Sequence, residues 1–268
     1  MKIHILGSGS RGNAIVLESE RECILVDAGF GPRTLVARMR SLGVEPASIS
    51  TLVLTHEHSD HIEGAAAAAR RWNWTVHATE GTLRSWPEHR RARTQTCSPR
   101  RDIVLGDFTI SIIRTPHDAR EPIALVATAN SSGVRVGIAY DLGHVSRRFA
   151  SQFEDVDALL LESNHDEGML RSGPYPRVVQ NRIAGPLGHL SNTDAAVMAR
   201  ACVHAGLRHL VLCHLSAQNN HPTVALDTMR AGMRGAGFRG TLQAASQDVP
   251  MTVSLARSRR SGQLSLAL

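Results

Sequence analysis

An α/β protein that mixes hairpins with β-α-β units is what this sequence predicts. Three observations carry that expectation. Short apolar runs alternate with turn signals along most of the chain, as strands of a buried sheet do. Two stretches, "VLGDFTISI" and "ATANSSGVRVG", are pairs of such runs joined by Gly-Asp and Asn-Ser-Ser-Gly, residues suited to hairpin turns. Between other runs lie segments with the apolar spacing of a helix. The mixture fits neither an all-antiparallel sheet nor a simple doubly wound one.

The elements follow in order. Strands are expected at 2–6, 14–18 and 23–27, then a helix at 32–42. A strand at 51–55 leads into a helix at 61–71, with Ser59 placed to cap it. A strand at 74–78 and a helix at 80–90 come next. The two hairpins occupy 103–105 with 108–114, and 123–129 with 134–140. A helix at 145–153, a strand at 157–161 and helices at 176–184 and 192–205 follow, the last capped by Asn192. A strand at 209–213, a helix at 223–236 and strands at 241–245 and 251–255 complete the pattern.

The 268 residues suit one large domain or two small ones, with a core that needs no staples, and one domain is expected over 1–255. Residues 256–268 ("ARSRRSGQLSLAL") are polar and basic before a short apolar end, and are expected to form a flexible tail. Aromatics make up only 4%, so Ala, Val, Leu and Ile must fill the core. No apolar run approaches the ~20 residues of a membrane helix, and "MKIHILGSGS" lacks the long apolar stretch of a signal peptide. The expectation is a cytoplasmic protein without a membrane partner. Four cysteines, Cys23, Cys97, Cys202 and Cys213, show no paired spacing. The net charge of +6 comes from 30 basic residues, of which only Lys2 is lysine. Such a surface steers polyanions, and it is equally compatible with a merely solvated basic face.

One segment stands apart. "HEHSDH", at 56–61, directly follows an apolar strand. A fold hides such groups only with a partner. Imidazoles at His56 and His58 can converge on one point, and Asp60 and His61 can serve a second nearby. These are ligand types for Zn²⁺ and similar cations. Three further runs each end in one ligand-type residue: His117 after 108–114, Asp141 after 134–140 and His214 after 209–213. Taken singly, each has a duller alternative as a core or turn residue. Together they repeat one pattern, strand and then ligand.

The series Asp27 in "LVDAG", "HEHSDH", His117, Asp141 and His214 resembles the five motifs of the metallo-β-lactamase fold, in order and rough spacing. The resemblance implies a four-layer αββα sandwich with two divalent metal ions, Zn or Mn, at one edge. It assigns His56, His58 and His117 to the first metal. Asp60, His61 and His214 go to the second, and Asp141 bridges them. Asp27 would steady the ligand loop through hydrogen bonds.

The fold alone leaves lactams, thioesters, lactones and phosphodiesters open as substrates. "LLLESNHDEGML" and "GPLGHLSNTDAA" are similar to paired motifs of the phosphodiesterase branch that includes tRNase Z, where a glutamate orients a histidine; here these are Glu162 and His189. "LGSGSRGNA", "SNHDEGML", "GPYP" and "GHLSN" resemble the bacterial metallo-β-lactamase-fold nucleases called YycJ or WalJ. That resemblance implies a bacterial DNA exonuclease acting 5′ to 3′ in repair or replication. Asp60, Glu162 and His189 would be catalytic, and metal-activated hydroxide would attack phosphorus. Ser8, Ser10, Asn13, His165, Arg182 and Asn192 are candidate phosphate contacts. "GQLSLAL" is similar to peptides that dock on the DNA sliding clamp, through Gln263, Leu264, Leu266 and Leu268. The alternatives are a thioester or lactone hydrolase on the same site, and a non-catalytic metal-binding regulator.

Overall fold

The computed structural model describes residues 1–256 and folds them into two seven-stranded sheets packed face to face. The first is built from β1 (Lys2–Gly7), β2 (Ala14–Glu18), β3 (Cys23–Val26), β4 (Ile49–Val53), β5 (Thr75–Thr79) and β6 (Arg93–Cys97). The second takes β7 (Ile103–Leu105), β8 (Phe108–Arg114), β9 (Ile123–Ala129), β10 (Arg135–Ala139), β11 (Ala158–Glu162), β12 (His209–Cys213) and β13 (Thr241–Ala244). Strand β14 (Met251–Ser254) returns to the first sheet beside β1. Each sheet is antiparallel where hairpins form it, as in β1–β2–β3 and β7–β8–β9–β10. Each turns parallel where helices connect it, as in β3–β4–β5–β6 and β10–β11–β12–β13.

Helices cover the outer faces. Over the first sheet lie α1 (Pro32–Ser41), α3 (Ala65–Trp72) and α4 (Glu80–Ser85), with the short α2 (Ser59–Ile62) leading into α3. The second sheet carries α5 (Arg147–Ala150), α8 (Asn192–Ala201) and α9 (Pro222–Gly232), while α6 (Glu167–Ser172) and α7 (Arg177–Ile183) follow β11. Three apolar layers result. Ile3, Ile15, Ile24, Ile110, Leu125, Ile138 and Val211 pack between the sheets. Val16, Leu25, Leu35, Met39 and Trp74 fill the gap to the helices on one side, and Leu159, Leu210, Met198 and Met229 on the other. Strands buried on both faces explain the near-continuous apolar runs in the sequence. The architecture is therefore the expected αββα sandwich.

Several local expectations need correction. Strand β4 runs from Ile49 to Val53 rather than over 51–55. The helix expected at 61–71 splits at Gly64, where an added Cβ would lie 2.2 Å from the Phe30 carbonyl oxygen. The helix expected at 80–90 ends at Ser85, and Pro87 starts a separate 3₁₀ turn. Ser59 is the first residue of α2, not its cap; His58 holds that place. Asn192 likewise lies inside α8, which Ser191 caps by accepting from the Asp194 amide. Strand β6 and helix α6 were not anticipated. β6 is a polar edge strand, "RTQTC", with no alternation to betray it. α6 is too short, with Gly168 inside, to show a period.

All four cysteines are unpaired, and Cys97, Cys202 and Cys213 are buried. Among the described residues no helix is long and apolar enough to cross a membrane. The tail residues Gln263, Leu264, Leu266 and Leu268 lie outside the described residues.

Candidate metal centre

Polar side chains gather where strands of both sheets end. Asp27 follows β3, Asp141 lies two residues beyond β10 and His214 follows β12, and all three adopt left-handed backbone, with φ of 58°, 58° and 53°. Such conformations are uncommon outside glycine and cost energy, so the surroundings must hold them. They turn the chain sharply at the sheet edge. There the ligand-type residue leaves the strand without continuing it.

The histidine loop is stapled to the β3 exit. The Ala28 amide donates to the His61 carbonyl at 2.8 Å, and the Asn13 amide to that of Asp60 at 2.8 Å. Gly29 lies so close beneath that an added Cβ would stand 1.7 Å from the Asp60 carbonyl oxygen. Asp27, fully buried, accepts from the Thr55 amide (2.8 Å), Thr55 Oγ1 (2.7 Å), His61 Nδ1 (2.7 Å) and Tyr140 Oη (2.6 Å). Since His61 Nδ1 donates there, its Nε2 carries the lone pair, 3.0 Å from Asp141 Oδ2. His56 Nδ1 lies 3.1 Å from Thr55 Oγ1, leaving Nε2 free. His117 Nδ1 donates to the Gly188 carbonyl at 3.0 Å, which again frees Nε2, 3.2 Å from His58 Nδ1. Glu57 turns aside to accept from the Arg120 amide.

Two clusters result. Donor atoms of His56, His58 and His117 lie within 4.8 Å of one another, and so do those of Asp60, His61 and His214. Asp141 stands between them: Oδ2 is near His61, while Oδ1 lies 3.5 Å from His214 Nδ1 and 3.9 Å from His117 Nε2. Buried His56 Nε2 and Asp141 Oδ2 have no hydrogen-bond partner. An acceptor without a donor in a dry site is costly, and a cation satisfies it. Imidazole and carboxylate without thiolate suit a divalent metal in an open site. The charges fit as well. Burial works against the Asp60 carboxylate, yet His61 and His214 hold it well below the usual range. Burial likewise disfavours a charged His214, but Asp141 and Asp60 lift its pKa to about 10. The carboxylates thus call for positive charge, and a metal supplies it in place of protons.

Beside the clusters, fully buried Glu162 accepts from His189 Nδ1 at 2.7 Å. Its other oxygen accepts from the Leu142 and Leu190 amides at 2.7 and 3.2 Å. Burial disfavours a charged imidazole at His189, but Glu162 outweighs it and raises the pKa above the ordinary value. The ring is 22% exposed and stacks against His214 at 5.2 Å, so Nε2 is left for an outside partner.

Comparison with known proteins gives this arrangement a lineage. Residues 7–146 match the model of the metallo-beta-lactamase superfamily. The chain is 31% identical to exodeoxyribonuclease YycJ of Bacillus anthracis, over 87% of this chain and 89% of that protein. It is 33% identical to exodeoxyribonuclease WalJ of Streptococcus pneumoniae, over 85% and 86%. The chain belongs to the metallo-β-lactamase superfamily. Solved structures of the same fold include Zn²⁺-bound PqqB from Methylobacterium extorquens, with a TM-score of 0.69 at 18% identity over 95% of this chain and all of that one. The short form of human tRNase Z superposes with a TM-score of 0.63 at 18% identity, over 96% and 100%.

Within this superfamily fold the remaining candidates take varied places. Ser8 and Asn13 are buried structural partners: Ser8 Oγ accepts from the His214 amide and donates to Asn13 Oδ1, while Asn13 Nδ2 lies 3.4 Å from Asp60 Oδ2. Ser10 is exposed on the same loop. Asn192 is buried in a network with Ser163 and Asn220. Arg182, at the rim, gives its guanidinium to Asp118. His165 is buried beside His189, lining one cleft with it. Three participants escaped the sequence: Thr55, Tyr140 and Asp118. Asp118 Oδ1 lies 3.3 Å from His117 Nε2 and 3.8 Å from His58 Nε2. Only its adjacency to His117 hinted at it.

Proposed function

We propose that this protein is a dinuclear-metal phosphodiesterase, a DNA exonuclease acting 5′ to 3′ in repair or replication. The observation that carries the reading is the Glu162–His189 pair beside the two clusters. Phosphodiester cleavage needs a proton at the leaving oxygen, and a partly exposed imidazole anchored through Nδ1 by a buried carboxylate can deliver one from Nε2. The relatives named exodeoxyribonuclease over most of this chain support DNA as substrate. His56, His58 and His117 would hold one ion, Asp60, His61 and His214 the other, with Asp141 between; Zn²⁺ and Mn²⁺ both suit the set. When bound, the ions supply Lewis acidity at phosphorus and a nucleophile at neutral pH. Asp27, through His61, sets the orientation of the ligand loop. Arg182 and Asp118 brace His58 at the rim.

The test is digestion of end-labelled DNA and RNA with added Zn²⁺ or Mn²⁺, beside His189→Ala and Asp60→Ala. Loss of DNA degradation in both variants, with folding intact, is expected, and the label position reads the polarity. Metal-loaded protein that leaves DNA whole but opens thioesters or lactones would replace this reading. A second proposal rests on residue spacing alone: Gln263, Leu264, Leu266 and Leu268 dock on a DNA sliding clamp. Removal of residues 257–268 should abolish clamp binding and spare activity on free oligonucleotides. Retained clamp binding would refute it.

A further inference from the structure

On the His189 side of the centre a cleft of about 380 Å³ opens, bounded by α6, α7, Gly143 and the start of α8. That size is near the lower end of ligand pockets, roughly 300–1,000 Å³. It suits one nucleotide. Its walls are unusually committed. His165 is 2% exposed, and its buried Nδ1 has no hydrogen-bond partner. Its backbone is fixed, with the carbonyl accepting from the Asn192 amide at 2.8 Å and a bridge to Ser191.

The arginines of the cleft differ in how they are held. Arg177 Nη1 donates to Gln180 Oε1 at 3.3 Å, and Gln180 is itself anchored by donating to the Tyr175 carbonyl at 2.9 Å. A neutral amide positions this guanidinium without cancelling its charge. Among the described residues no carboxylate pairs with it. Arg171 lies 3.7 Å from Glu167, an exposed pair one helical turn apart, which an anion can readily displace. The remaining acid, Asp194, is occupied by Ser191 Oγ at 2.9 Å. Exposed guanidinium groups beside a buried imidazole around a nucleotide-sized space are the chemistry of a phosphate grip.

Position then says which phosphate. His189 serves the leaving oxygen, so the leaving nucleotide belongs on its side of the centre. In hydrolysis the oxygen of water joins phosphorus and the P–O3′ bond breaks. The proton on His189 passes to O3′, and the attacking water supplies the proton that restores His189. The released piece is the residue that ended in that O3′, a nucleoside 5′-monophosphate. Resting on the exonuclease reading, we propose that this cleft seats the terminal nucleotide and grips its 5′-phosphate through Arg177, Arg171 and His165. The grip makes cleavage start at a 5′ end. The shortened strand carries a new 5′-phosphate, so each product is the next substrate.

The test compares oligonucleotides bearing 5′-phosphate, 5′-hydroxyl or 3′-phosphate ends, by kcat/KM and by calorimetric binding of a 5′-phosphorylated dinucleotide. The wild-type protein should prefer 5′-phosphate by about 10-fold or more, the scale of charge-assisted hydrogen bonds. Arg177→Ala should erase most of that preference in both readouts. Arg230→Ala, on α9 and paired with Asp227, should keep it. DNA degradation with no end preference, or a preference that survives Arg177→Ala, overturns the subsite alone. Absence of any DNA degradation by the metal-loaded protein overturns the exonuclease reading and the subsite with it.

Discussion

Asp27 accepts four hydrogen bonds in a fully buried site, and three of them come from Thr55 and His61 at the histidine loop. A carboxylate can accept from all four; an amide of the same shape cannot, because one of its ends is itself a donor. Asn also tolerates the left-handed backbone that Asp27 adopts. Asp27→Asn therefore isolates acceptance from conformation. Whichever way the amide turns, its NH₂ end faces a donor of Thr55, and the carboxylate charge that supports His61 is lost. Metal affinity should fall by about 10- to 100-fold, the usual effect of losing such a support. Competition against a metal-binding dye measures it; affinity within twofold of wild type would show that His61 needs no anchor. The same residue shows the limits of the sequence. "LVDAG" marks Asp27 as a strand-end acid, but nothing there names Tyr140, 113 residues away, as one of its donors.

Among elements, the strand exits matter more than the strands. His56, His117, Asp141 and His214 were legible because each follows an apolar run, and the run itself is a core strand. Asp118 and Arg182 were not legible as a pair, since their contact joins positions 64 apart in loop and helix. β6 and α6 were lost for a related reason: one has no buried face to impose a period, and the other is too short to show one. The exits also depend on close backbone approach. Gly29 leaves no room for a side chain beside the Asp60 carbonyl. Since that neighbour is backbone, it cannot swing away, and Gly29→Ala must push the 56–61 loop off the β3 exit. Overpacking of this kind costs about 1–3 kcal/mol or more. Both melting temperature and bound metal should drop together. A variant that binds metal normally would show that the loop adjusts without losing its geometry.

At the scale of the whole molecule, each sheet holds part of the centre. The 56–61 loop leaves the first sheet, while His117, Asp141 and His214 leave the second. The core between the sheets is continuous and apolar, from Ile3 to Val211, so the fold does not depend on metal for its existence. What metal adds is a tie across the rim, where otherwise acceptors face each other. His56 Nε2 and Asp141 Oδ2 have no partner without it. A ligand that binds only the folded state stabilises it by mass action, about 4 kcal/mol at a thousand times its Kd. For a domain of this size that is a shift of roughly 8–16 °C. Dialysis against a chelator should lower the melting temperature by that order while leaving the far-ultraviolet circular dichroism of the sheets unchanged. Added Zn²⁺ or Mn²⁺ should restore it, and Asp141→Asn should show a much smaller response. A melting temperature indifferent to chelation would mean that the two sheets carry the rim without a tie, and that the clusters do not hold metal tightly.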